Sequence, residues 1–179
     1  KEQGIWVGAN LSMNRPEGKT VVHDPVMGPM LTAAEKENLQ KFRALHREGG
    51  DRVALDTVRA LHSAGVTILP GSDTPNGGTT FGATMHVDIA LLVENGFTPE
   101  EALRAATAEA AAAFGLEDRG RIKEGLQADL LLVEGMPDQD IKDTRNVVAV
   151  FKAGKVHRND FPADGSQTER SADTPSQTE

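Results

Sequence analysis

The run Val66-Thr67-Ile68-Leu69, stopped by Pro70-Gly71, constrains the fold more than any other stretch of the chain. Its residues are β-branched or apolar at consecutive positions, without the alternation of a strand that has one wet face. A strand of this kind needs cover on both sides, which parallel sheets obtain from flanking helices. The neighbouring sequence supplies them. Asp51 reads as the cap of a helix whose Leu55, Val58 and Leu61 share one face, and Gly65 offers a left-handed exit. Beyond the strand, residues 71–82 are polar and glycine-rich, and a further helix is predicted from about Met85 to Asn95, ended by Gly96. Residues 5–9 are a second apolar run suited to a buried strand. Pro16, Gly18, Pro25, Gly28 and Pro29 then punctuate a long connection, and Thr32-Ala33-Ala34-Glu35 has the spacing of a capping box that opens a helix to about His46, stopped by Gly49-Gly50.

Thr98-Pro99-Glu100-Glu101 combines an N-cap, a proline at the first helical position and a carboxylate at the third. The helix it opens is expected to reach Gly115, with a break at Thr107. Past that point the pattern changes to short strands at 120–122, 128–133 and 147–152, and at Lys155-Val156 after an Ala153-Gly154 turn. Two strand–helix units followed by an all-β segment point to an α/β class: a piece of a barrel or doubly wound sheet with a β appendage. A complete (β/α)8 barrel takes ~250 residues, so two units amount to a quarter of the ring.

Composition narrows the function. The 179 residues carry 19 Lys and Arg against 27 Asp and Glu, a net charge of −8, which disfavours nucleic acid and anionic membrane surfaces as partners. Residues 160–179 hold five of the acids against Arg170 alone and few apolar side chains, so 159–179 reads as a disordered acidic tail. No cysteine is present, and any metal must therefore be held by His, Asp or Glu. No apolar run approaches the ~20 residues that span a bilayer. The chain opens at Lys1 and runs at once into Ile5-Trp6-Val7, which reads as the interior of a longer protein. A cytoplasmic location is expected, with any export signal not assessable.

In parallel α/β folds the working residues lie just beyond the carboxyl ends of strands, a place filled here by Gly71-Ser72-Asp73-Thr74. Asp73 is the candidate catalytic residue; the alternative is that it caps a turn through Ser72 or Thr74. A phosphate-binding loop is excluded because no Gly-Lys-Ser/Thr follows Gly71, and Asp73-Thr74-Pro75 lacks the glycine of the aspartic-protease Asp-Thr-Gly. His23, His46, His62, His86 and His157 show neither HxH nor HExxH spacing, so no complete metal site can be written. His86 opens the helix behind the Asp73 loop and could face the same mouth, or serve as a cap. His23-Asp24 could reach the mouth or lie in solvent. His46 and His62 read as polar-face or boundary residues, and Asp88 as a solvated helix residue.

These residues carry a resemblance. The block from Val66 to Thr74, Met85-His86, Leu91-Leu92-Val93-Glu94-Asn95-Gly96-Phe97-Thr98-Pro99-Glu100-Glu101-Ala102-Leu103-Arg104-Ala105-Ala106-Thr107, Asp118-Arg119-Gly120-Arg121-Ile122, Ala128-Asp129-Leu130 and Gly154-Lys155-Val156 resembles the closing stretch of the metal-dependent amidohydrolase superfamily. The similarity is to its imidazolonepropionase-like and Xaa-Pro dipeptidase-like branch. It implies the last two strand–helix units of a TIM-like (β/α)8 barrel over 1–115, part of a small β-sandwich over 116–158, and the tail beyond. Residues 5–9 and 66–69 would then be strands seven and eight.

The resemblance also implies the chemistry. Asp73 would be the metal ligand and general base of a hydrolase acting on carbon–nitrogen bonds of a small-molecule substrate, with Ser72, Thr74 and His86 as substrate-binding candidates. The cofactor would be a divalent metal, zinc, as one or two ions, whose other ligands would precede Lys1. The chain alone is accordingly expected to be inactive and, with open strand edges, to form a homo-oligomer or a loose globule. A noncatalytic binding or assembly module that keeps the barrel end, and a deaminase of the same superfamily, are the alternatives.

Overall fold

The computed structural model describes residues 5–14, 21–41 and 50–159. Strands β1 (Trp6–Ala9) and β2 (Thr67–Pro70) pair in parallel, with Trp6 opposite Thr67 and Ala9 opposite Pro70. Helices α1 (Ala33–Gln40) and α2 (Gly50–Ser63) lie between them in sequence, and α3 (Ala83–Glu94) follows β2. The parallel pairing and its helical cover agree with the reading of 66–69 as a buried strand. Ile68 and Leu69 are buried, together with Leu39 of α1, Val58 of α2 and Leu91 and Leu92 of α3. Most of α3 is buried, because it packs on β2, on the 3-10 turn after β1 (Leu11–Asn14), on α4 (Pro99–Arg104) and on a 3-10 turn at Ile141–Arg145.

Local signals placed most helix ends. Thr32 and Thr98 each cap through a reciprocal box, with Glu35 and Glu101 respectively, and Pro99 occupies the first turn of α4. Gly65 and Gly96 take positive φ where their helices stop. The break expected at Thr107 is a π-helical segment, Ala105–Glu109, in which the Thr107 hydroxyl bonds the Leu103 carbonyl at 2.7 Å, and Ala110–Ala113 (α5) continues beyond it. Two expectations are corrected. Asp51 lies within helix α2, which is described from Gly50, and is not its cap. Residues 120–122 form no strand: Gly120 has φ +83 and Ile122 is 91% exposed. Helix α1 ends at Gln40, and the stretch expected to carry it on to His46 lies outside the described residues, as does the acidic tail.

The remaining strands, β3 (Leu130–Val133), β4 (Val147–Lys152) and β5 (Lys155–Asn159), form an antiparallel sheet in the order β3-β4-β5. Ala153 and Gly154, both with positive φ, make the two-residue β4–β5 turn that right-twisted strands favour. Arg119 braces the approach to this sheet, its guanidinium bonding Asp118 at 2.9 and 3.0 Å and Asp129 at 3.3 Å. Asp129 also accepts the Ala153 amide at 2.8 Å, so these motif carboxylates serve the sheet and its turn.

Gly120 lies against the π-helical segment. A Cβ there would stand 2.6 Å from the Ala111 Cβ and 2.9 Å from the Thr107 carbonyl, on a backbone that already disfavours a side chain. Gly120→Ala should therefore lower stability by roughly 1–3 kcal/mol. Urea unfolding of the two proteins checks this, with equal midpoints counting against the packing described.

Candidate functional site

Parallel pairing carries both strands out at one end, where β2 runs into Gly71-Ser72-Asp73-Thr74. The Gly71 amide donates to the Ala9 carbonyl at 3.1 Å, so the pairing extends one step past the strand. Asp73 then takes φ +49, a left-handed conformation that is uncommon for any residue with a side chain but best tolerated by Asp and Asn. Its side chain is exposed, and among the described residues its carboxylate makes no hydrogen bond. The turn is closed through the backbone: the Asp73 carbonyl accepts the Asn76 amide at 3.2 Å and the Asn76 side chain at 3.0 Å. Ser72 and Thr74 bond each other, hydroxyl to hydroxyl, at 2.8 Å, so neither hydroxyl is spent on the Asp73 carboxylate.

A second anchor holds the far side of the loop. The Asn38 side chain of α1 donates to the carbonyls of Asn76 at 3.1 Å and Thr79 at 2.7 Å, and the Asn38 backbone carbonyl accepts the Gly78 amide at 2.9 Å. Glu35 accepts the Thr80 hydroxyl at 3.1 Å while completing its capping box. The sequence reading missed Asn38; its signal is only a polar residue on a short helix, and its partners lie 38 and 41 positions away.

His86, considered for the mouth, is engaged by Thr144. Its Nδ1 is 3.0 Å from the Thr144 hydroxyl, in the seam between α3 and the 141–145 turn. Burial, reinforced by the Arg145 charge, pushes the imidazole down to about 4, so it is neutral at physiological pH. Asp24 belongs to the same seam. It accepts the amides of Val26 and Met27 at 2.9 and 2.8 Å and pairs with Arg145 at 3.1 Å. Burial works against its charge, but those amides and the guanidinium hold its carboxyl below the usual range. His23 is exposed, and His62 stacks on Phe97 with ring centroids 3.7 Å apart, a boundary position as expected. His46 lies outside the described residues.

Asp88 is corrected outright: it is 0% exposed. Its carboxylate accepts the Ser12 amide at 2.9 Å and pairs with the Ser12 hydroxyl at 2.8 Å, tying α3 to the turn that follows β1. Burial pushes its carboxyl up to about 7 against the opposing pull of the Ser12 and Leu11 hydrogen bonds. A hollow also lies away from the loop. A cavity of about 710 Å³ opens at the amino ends of the strands, lined by Ile5, Trp6, Val66, Glu109, Ala112 and Ala113. Among the described residues no three His, Asp or Glu side chains converge as a metal would need, and no helix is long and apolar enough to cross a membrane.

The opposite shifts of Asp88 and His86 predict a measurable pH dependence. Asp88 binds its proton more tightly folded than unfolded, so its contribution to stability is full below about pH 4 and is lost as pH rises to about 7, at up to ~1.4 kcal/mol per pH unit. His86 does the reverse, its contribution being present above about pH 6.5 and lost as pH falls to about 4. Asp88→Asn mimics the protonated carboxyl and removes only the first slope. Subtracting its Tm profile from that of the parent should leave a difference that favours Asn increasingly up to about pH 7. A pH-independent difference would show Asp88 to be ionised throughout.

Comparison with known proteins identifies the family. The model of the amidohydrolase family matches residues 16–157. Ochratoxinase of Aspergillus niger is 39% identical over 129 residues, covering 69% of this chain and 25% of that enzyme. Imidazolonepropionase of Streptomyces griseus is 40% identical over 88 residues, 49% of this chain and 22% of that one. Among solved structures, a Xaa-Pro dipeptidase with methionine bound in its active site superposes with a TM-score of 0.62 at 26% identity, over 88% of this chain and 36% of its own. The A. niger ochratoxinase structure gives 0.59 at 30% identity, over 88% and 33%. The chain thus spans about a quarter of the length of the curated relatives it matches, and it belongs to the amidohydrolase family.

Proposed function

We propose that this member of the amidohydrolase family is the closing part of the catalytic barrel of an enzyme that hydrolyses a carbon–nitrogen bond in a small molecule, with Asp73 as metal ligand and general base. One observation carries the reading: an exposed carboxylate, without a hydrogen bond among the described residues, held on a left-handed backbone at the carboxyl end of a parallel strand. A turn-capping aspartate would spend its side chain on the turn, whereas here the backbone carbonyl does that work. The names of the relatives, ochratoxinase, imidazolonepropionase and Xaa-Pro dipeptidase, support a hydrolytic role.

Asp73 fits a divalent metal, zinc in this reading, as one hard oxygen donor; the remaining donors of one or two ions must come from beyond the described residues. When bound, the metal supplies Lewis acidity, which brings the ionisation of water near neutral pH. Asp73 accepts the proton of the attacking water at a carboxylate oxygen and passes it to the leaving nitrogen as the bond breaks. The tethers at Gly71 and Asn76 hold the carboxylate through this exchange. The Ser72 and Thr74 hydroxyls, bonded to each other, keep further donor and acceptor capacity for substrate. His86 in this reading secures the seam beside the site and does not touch substrate.

Asp73→Asn in the full-length protein tests the assignment. The amide keeps the shape of the side chain and removes the proton acceptor, so kcat should fall ~10²–10⁴-fold with little change in Tm. Near-parental kcat with metal bound would overturn the mechanism, and a parent without hydrolytic activity would favour a noncatalytic module.

A further inference from the structure

We propose that Asn10 is a substrate-contact residue, its side-chain amide donating to an acceptor oxygen of the substrate, carbonyl or carboxylate, at the strand ends that carry Asp73. The inference rests on the hydrolase reading and deepens it by assigning a specificity contact on the other strand. Ala9 pairs with Pro70, so Asn10 is the first residue past β1 and Gly71 the first past β2, level with each other at the same end of the sheet.

The Asn10 carboxamide lies over Gly71. A Cβ at position 71 would overlap the Asn10 side-chain oxygen and would stand 3.5 Å from its Cγ. Gly71 is not among the glycines with positive φ, so its backbone does not call for glycine. The space does: the missing side chain is the seat of the carboxamide. Among the described residues no hydrogen bond engages that carboxamide, which leaves two N–H donors and one acceptor unspent over Gly71, two residues before the exposed Asp73. An asparagine serving only a turn would bond nearby backbone instead.

The backbone beneath Asn10 is fixed even though its side chain is not. Leu11 is buried, and two positions on the Ser12 amide and hydroxyl are held by Asp88 inside the core. A free polar head on an immobile stem has the properties of a specificity contact, because binding costs it little further ordering. Asp88 is accordingly a positioning residue, acting on the site through Ser12 and Asn10.

The test uses the full-length enzyme with Met-Pro and its C-terminal amide as probes, with Asp73→Asn as the reference for lost chemistry. Asn10→Ala should raise KM ~3–10-fold, the loss of one neutral hydrogen bond, with the effect carried by KM more than by kcat. Asn10→Asp separates the two acceptors: a rise in KM confined to Met-Pro identifies the carboxylate, and an equal rise on both probes the carbonyl. Gly71→Ala displaces the carboxamide, so combining it with Asn10→Ala should raise KM no further than either change alone. KM within twofold of the parent for Asn10→Ala, or effects of the two changes that multiply, would overturn the assignment while leaving the role of Asp73 standing. A parent inactive on both probes would overturn the assignment together with the hydrolase reading of the site as applied to dipeptide-type amides.

Discussion

The parallel pairing of β1 with β2 is the constraint on which the rest of the molecule depends. Parallel neighbours cannot be joined by a tight turn, so the chain must cross over, and the crossover leaves α1 and α2 to cover apolar surface that a strand such as 66–69 exposes on both faces. The same pairing makes the two ends of the sheet chemically different. Both strands deliver polar residues, Asn10 and Ser72-Asp73-Thr74, at their carboxyl ends, while Trp6, Ile5 and Val66 line the hollow at their amino ends. The cavity of about 710 Å³ is therefore at the apolar end and the exposed Asp73 carboxylate at the other.

Helix α3 carries a buried Asp88 and a half-buried His86 two residues apart, and loss of hydration drives their proton affinities in opposite directions. Loss of hydration disfavours whichever form is charged, so Asp88 is raised and His86 lowered, and both tend toward neutrality. What differs is the surface each one seals. Asp88 meets the turn after β1 and so reaches the strand-end loop, whereas His86 meets Thr144 beside the Asp24–Arg145 pair that joins the 21–31 segment to the approach of β4. The helix behind β2 thus links the turn after β1 on one side and the approach to the antiparallel sheet on the other.

Much of the fold was legible because its signals are local. Capping boxes at Thr32 and Thr98, left-handed exits at Gly65 and Gly96 and the Ala153-Gly154 turn act within a few residues and read directly from the chain. The position of Asp73 was legible for the same reason, as a polar residue just past a strand stopped by Pro70-Gly71. The failures are tertiary. Asp88 reads as a wet helix residue under an amphipathic rule, but α3 is apolar almost all round, with Val87, Ile89, Ala90, Leu91 and Leu92 all buried, and that continuous run was the missed signal. Gly120-Arg121-Ile122 resembles a strand, yet Gly120 is needed where the chain crosses the π-helical segment. The tethers of Asn38 and the place of Asn10 opposite Gly71 follow from long-range contacts and strand register, which no local spacing encodes.

The backbone of Asp73 shows why so many tethers converge on one loop. A side chain on a left-handed residue costs roughly 1–2 kcal/mol, and unopposed that cost would let the loop relax and turn the carboxylate away. Each neutral hydrogen bond contributes about 0.5–1.5 kcal/mol net, so a single tether would barely offset it. Three independent elements share the work: β1 through the Ala9 carbonyl, α1 through the Asn38 side chain and carbonyl, and α3 through the Thr84 hydroxyl, which accepts the Thr80 amide at 2.7 Å. Because those elements are fixed by the core and not by the loop, releasing one leaves the others in place. Asp73 is thereby kept exposed and unbonded, a state that a local turn alone would not hold.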